Sequence, residues 1–112
     1  MIDSYKFGQI IIDGIAYTSD IIIYSDKIIP NWRRKSGHLL KVNDLMEVIN
    51  EQPNLLIIGT GESGLMKVDP SVPDLLESKH ISLIIEPTEL ACKTYNKLHS
   101  GKKVIGAFHI TC

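Results

Sequence analysis

The 112-residue sequence predicts an α/β fold, a sandwich around a mixed sheet with one extra β layer. Two observations carry that prediction. After residue 54, the apolar runs "NLLIIG", "ISLIIE" and "KKVIGAFHI" are separated by two stretches with helical spacing, which reads as β-α-β-α-β. Right-handed crossovers make those three strands parallel. Before residue 30 the chain is rich in isoleucine, has no helical period and is cut by the turn pairs Asp13-Gly14 and Ser25-Asp26. Hairpins of that kind pair antiparallel, so the sheet is expected to be mixed.

The elements follow in order. "FGQIII" runs into Asp13-Gly14, a two-residue hairpin signal, and "IAYTS" returns. "DIIIY" then turns at Ser25-Asp26 into "KIIP". Neither triple-isoleucine run, 10–12 or 21–23, alternates with polar residues, so both are expected to be covered on two faces. Residues 30–42 have no period and read as a loop. Asn43 is placed to cap a short helix through Glu51, with Pro53 just beyond it. After strand 54–59 and the glycine loop, a helix begins at Asp69-Pro70 or Ser71, where proline loses no hydrogen bond. Strand 81–86 ends at Pro87, and Thr88 is placed to cap a helix over 89–99. Ala91, Tyr95 and Leu98 share one face of it, Gly101 stops it, and strand 102–110 follows. No linker or repeat interrupts the sequence, so residues 1–112 are expected to form one domain.

Composition narrows the function classes. With 44% hydrophobic and 22% charged residues the chain is of globular type, long enough to bury roughly two-thirds of its unfolded surface without metal or disulfide. A net charge of −1 and a pI of 6.4 offer no field for nucleic acid. No apolar run is long enough for a membrane span, and Met1-Ile2-Asp3-Ser4 does not open a secretory signal. Cys92 and Cys112 are read as reduced thiols, which fits a cytoplasmic location.

Gly59, Gly61 and Gly64 in "LLIIGTGESGLMKVDP" match G-x-G-x-x-G, with Glu86 ending the next apolar run. A dinucleotide site needs the third glycine to open a helix, and "LMKVDP" intervenes. No nicotinamide, flavin or other cofactor is therefore expected. Two uses remain for the loop. Gly59 and Gly61 can permit a tight turn with positive φ, or their N–H groups and the Thr60 hydroxyl can form a nest for a small anion.

"FGQIIIDGIAYTSDIIIY", "NWRRKSGH", "LLIIGTGESGLMKV", "PTELACKTYN" and "AFHITC" together resemble an uncharacterised domain family. Mitochondrial complex I assembly factor 3 and the adipogenesis-associated domain protein belong to it. The similarity covers essentially the whole chain, which looks like a stand-alone microbial member. It implies a three-layer α/β fold around a mixed central sheet and attaches no firm enzymatic activity. The matching positions are Trp32-Arg33, Gly37-His38, Gly59-Thr60-Gly61, Met66, Thr88, Tyr95-Asn96 and His109 to Cys112.

Among the remaining candidates, Trp32 is read as anchoring its loop, with Arg34 and Lys35 as solvated charges and Arg33 facing the glycine loop. His38 is either an acid–base group or a hydrogen-bonded core residue. In an extended strand His109 and Thr111 share one face while Ile110 and Cys112 share the other, so "HITC" does not converge on a metal. The leading expectation is a binding or assembly module with a small-anion crevice at the carboxyl ends of strands 55–58 and 81–86. Arg33, Gly59, Thr60, Gly61 and Thr88 would line it, with Trp32, Tyr95 and Asn96 as secondary candidates. A protein partner or a second copy of the chain fits this expectation. The alternative is an enzyme using His38, His109 or Cys112 in the same crevice.

Overall fold

A computed structural model describes residues 1–112. The chain runs through β1 (Ile2–Lys6), β2 (Gln9–Ile12), β3 (Ile15–Tyr17), β4 (Ile21–Ile23), β5 (Ile28–Pro30) and β6 (Leu39–Leu40). A 3-10 turn at Val42–Leu45 leads into α1 (Met46–Asn50). Then come β7 (Leu55–Thr60), β8 (Lys67–Val68), α2 (Ser71–Ser78), β9 (Ser82–Glu86), α3 (Thr88–Leu98) and β10 (Val104–His109).

The central sheet has five strands in the order β5-β4-β10-β7-β9. Strands β10, β7 and β9 are mutually parallel, and β4 runs antiparallel to β10, so the sheet is mixed as expected. Side-chain alternation divides it into two apolar faces. Leu55, Ile57, Val104 and Phe108 face α3 and the β1-β2-β3 sheet, meeting Ala91, Tyr95, Ile10 and Ile12. Leu56, Ile58, Ile105 and Ala107 face α1, α2 and the 31–42 loop, meeting Val48, Val72, Leu76 and Trp32. The architecture is thus three-layered, with the hairpin sheet and α3 sharing one outer layer. No helix is long and apolar enough to cross a membrane.

The Asp13-Gly14 hairpin forms with both residues at positive φ, 49° and 82°, as a two-residue turn requires. Several expectations need correction. Ile21, Ile22 and Ile23 are buried on both faces, whereas Ile11 is only half-buried because nothing covers the outer face of the hairpin sheet. β1 was not foreseen. Its Ile2 is fixed by Asn96, whose amide donates to the Ile2 carbonyl (2.7 Å) and accepts from the Ile2 N–H (2.8 Å). The 30–42 stretch is not wholly loop, since Leu39–Leu40 pairs with Lys67–Val68. Asn43 is not a cap. The Asp44 carboxylate instead accepts from the Lys41 N–H (2.9 Å), so the helix is entered one turn earlier. Thr88 lies inside the first turn of α3 and its hydroxyl caps nothing.

Candidate functional site

The chemistry-bearing residues gather where the parallel strands end. Phe108 pairs with Ile21 across the β4–β10 contact, which sets His109 opposite Asp20. Both side chains fall on the face that carries Ile22, Ile105 and Ala107. The loop after β5 closes over them. Its Trp32 donates its backbone N–H to the Asp20 carbonyl (3.0 Å) and its indole N–H to the Asp44 carbonyl (3.2 Å). The buried indole then carries the Arg34 guanidinium, 4.9 Å from its ring centre.

Arg34 is therefore not a solvated charge; its side chain is 5% exposed. Nε and Nη2 donate to the Gly37 carbonyl at 3.2 and 3.0 Å. Nη1 lies 2.8 Å from Asp20 Oδ2, an ion-pair contact without the alignment of a hydrogen bond. Asp20 Oδ2 is also 2.8 Å from His109 Nδ1, and Oδ1 accepts the Ile110 N–H at 2.8 Å. A carboxylate only accepts, so Nδ1 carries the proton in that contact and Nε2 points away from Asp20. The 3.1 Å approach of Arg34 Nη2 to the same nitrogen is then a packing contact. Burial opposes ionisation of Asp20, but the hydrogen bonds from His109 and the Ile110 N–H, together with the Arg34 guanidinium beside it, outweigh it and hold the carboxyl below its ordinary range.

His38 is exposed, and its ring meets that of His109 edge-on at 5.9 Å. The Thr111 hydroxyl is 3.5 Å from His109 Nε2, on the side expected from strand alternation. Burial pushes the Cys92 thiol up to about 12, helped by Glu89, which removes it from thiolate chemistry at neutral pH. Cys112 is half-buried, and its carbonyl accepts from the Leu65 N–H (3.2 Å).

The glycine loop packs against the same residues without charges. Gly61 has φ 103°, and a Cβ there would lie 2.2 Å from the Cys112 carbonyl carbon. At Gly59 a Cβ would meet Phe108 and the Thr88 hydroxyl at 2.9 Å, although its φ is not positive. Turn chemistry and close approach account for both glycines. The anion nest does not form. Gly61 N–H donates to Thr88 Oγ1 (2.8 Å), Glu62 N–H to the Thr111 carbonyl (2.7 Å) and Met66 N–H to the Thr60 carbonyl (3.1 Å). Thr60 is buried with its hydroxyl on the Glu86 carbonyl (3.2 Å). Thr88 is wholly buried and donates to the His109 carbonyl (2.5 Å).

Of the expected crevice residues, Gly59, Thr60, Gly61 and Thr88 do come together. Arg33 stands apart. It is exposed in a cleft with Asn31, Asn43, Met46 and Glu47 that does not reach Thr60. Tyr95 is buried edge-on against Phe108 and stacked on His99, and Asn96 holds β1. Sequence reasoning passed over Asp20 and misjudged Arg34. The available signal for Asp20 was its place directly before a strand buried on both faces, where a side chain on the inner side needs a partner.

Residues 2–109 match the model of a family described as protein of unknown function, DUF498/DUF598. The chain belongs to that family. The motifs scattered along the sequence pointed to the same kind of group, an α/β domain with no assigned activity. Solved structures agree on the fold. A conserved hypothetical protein from Pyrococcus horikoshii OT3 is 28% identical with a TM-score of 0.85, covering 100% of this chain and 99% of that one. A structure named MT938 is 30% identical with a TM-score of 0.82, over 100% of this chain and 98% of its own. An outer membrane protein from Bartonella henselae is 25% identical with a TM-score of 0.82, covering 99% and 94%.

Proposed function

We propose that the chain is a small protein-assembly module that docks a partner at the end of the sheet where β7, β9 and β10 finish. One observation carries this reading. Phe7, Leu65 and Leu90 are 55%, 51% and 50% exposed, and three separate elements bring them to the segment 109–112. Gly8 N–H, beside Phe7, donates to the Ile110 carbonyl (2.7 Å), and Leu65 N–H donates to the Cys112 carbonyl. Leu90 stands in the first turn of α3, which Thr88 ties to His109. Scattered exposed apolar side chains are ordinary, but three carried by segments tied to one strand end offer a surface suited to a partner. The charged cluster at the same strand end fastens residues 109–110, since Asp20, Arg34 and His109 engage one another and none of the five surface cavities is lined by them.

The Asp20–His109 pair favours a second reading. A carboxylate on Nδ1 leaves Nε2 as an acid–base group, so an enzyme would work through that nitrogen once the Thr111 segment moved aside. Site-specific photo-crosslinkers at positions 7, 65 and 90 separate the two. The module reading expects all three to capture one and the same protein, and Leu65→Ser with Leu90→Ser to lose it without a change in melting. Capture of nothing, or of unrelated proteins from each position, removes the reading. A folded His109→Gln variant should keep the partner if the module reading holds.

A further inference from the structure

The two edges of the central sheet are built differently. At one edge β5 is three residues long, ends in Pro30 and turns away at Asn31, whose φ is 59°. Those are the features that keep an edge from pairing. At the other edge β9 has the sequence Ser-Leu-Ile-Ile-Glu, with no proline or bulge, and its one neighbour in the sheet is β7. Ser82 N–H donates to the Asn54 carbonyl on the β7 side, and the Glu86 carbonyl accepts from Thr60 on that same side. Alternation along a strand then turns the N–H and C=O groups of Leu83 and Ile85 outward. Ile85 is 43% exposed.

We infer that β9 pairs antiparallel with β9 of a second copy about a two-fold axis at Ile84, joining two central sheets into one. The inference stands apart from the end-face reading and does not depend on it. Leu83 and Ile85 are symmetric about Ile84, so each copy offers the other two donors and two acceptors in register. Leu83 meets Ile85 of the second copy as a hydrogen-bonded pair, and the two Ile84 residues meet as the close non-hydrogen-bonded pair between them. Charge fits the same orientation. Lys79 and His80 precede β9, while Glu86 and Glu89 lie at or beyond its end, so antiparallel pairing sets the basic end of one copy beside the acidic end of the other. A like-ended arrangement would juxtapose like charges. The contact is isologous and closes at two copies.

The test is sedimentation velocity of the full chain over a concentration series, with amide hydrogen exchange on the same samples. The expected result is a monomer–dimer equilibrium in which the Leu83 and Ile85 amides gain protection as concentration rises. Ile85→Lys, at an exposed position, should weaken association at least tenfold with an unchanged melting midpoint at concentrations where both chains are monomeric. Should that variant fold poorly, Ile84→Cys gives a second readout, a symmetric disulfide-linked dimer under oxidation. A chain monomeric at every concentration overturns the proposal. So does a dimer that persists in Ile85→Lys, or whose Leu83 and Ile85 amides stay unprotected. Protection of those amides only on addition of another protein would assign the edge to a different occupant and likewise overturn it.

Discussion

Two loops close on the end of β10, and they hold it by opposite means. The glycine loop grips residues 109–112 with backbone groups, one buried hydroxyl and a steric fit too close for a Cβ. The loop from Trp32 to His38 holds the same strand end with a cation laid on an indole, which faces the Asp20 carboxylate paired with the strand's own His109. The first holds chiefly through main-chain hydrogen bonds and one hydroxyl, so its hold depends far less on pH. The second depends on a carboxylate staying ionised. Neighbouring contacts on one strand end can therefore be taken apart by different perturbations.

Gly61→Ala should have the largest effect, about 4 kcal/mol or more, because strained φ and a backbone clash coincide there. Denaturant midpoints at pH 7 and pH 3.5 should show nearly the same loss. Asp20→Asn comes next, costing about 3 kcal/mol at pH 7 by leaving the Arg34 guanidinium buried without its counter-charge. Its pH signature is the reverse. The folded carboxyl sits below its ordinary value of 3.8, so its stabilisation is complete above that value and fades as pH falls through the lower folded one. The gap between wild type and Asp20→Asn should thus narrow in acid, and a gap that stays constant would break the contrast between the loops. Thr88→Val should cost about 2 kcal/mol with no pH dependence, since it strands the Gly61 N–H and the His109 carbonyl. Arg33→Ala should change the midpoint by no more than about 0.5 kcal/mol, against a loss near that of Asp20→Asn for Arg34→Ala. Equal effects at 33 and 34 would refute the placement of the inward-facing cation.

The sequence was readable wherever the signal was local. The three parallel strands, their two crossover helices and both hairpins follow from apolar runs, turn pairs and helical spacing within a dozen residues. β1 escaped because Ile2 alone among its residues is buried, and its anchor is Asn96, far along the chain. The resemblance marked Asn96 as a candidate without supplying that reason. At the site, Gly59, Thr60, Gly61 and Thr88 were foreseen as neighbours because each lies at or just beyond the carboxyl end of a parallel strand. Arg33 was chosen over Arg34 because a loop with no period cannot show which of two adjacent cations turns inward. Asp20 and His109 meet only once β4 is known to pair with β10, and no local pattern states that pairing.

The strand order has a further consequence during synthesis. β10 fills the slot between β4 and β7, yet it is translated after both of them. Until it emerges, the β4–β5 hairpin and the β7–β9 pair are two half-sheets with facing, unsatisfied edges. The β4–β10 pairing joins residues near opposite ends of the chain, so it is the least local contact in the sheet. Neither face of the central sheet is complete, then, until the last strand is available. Placing "VIGAFH" in that slot completes both cores and gives both loops the strand end they pack on.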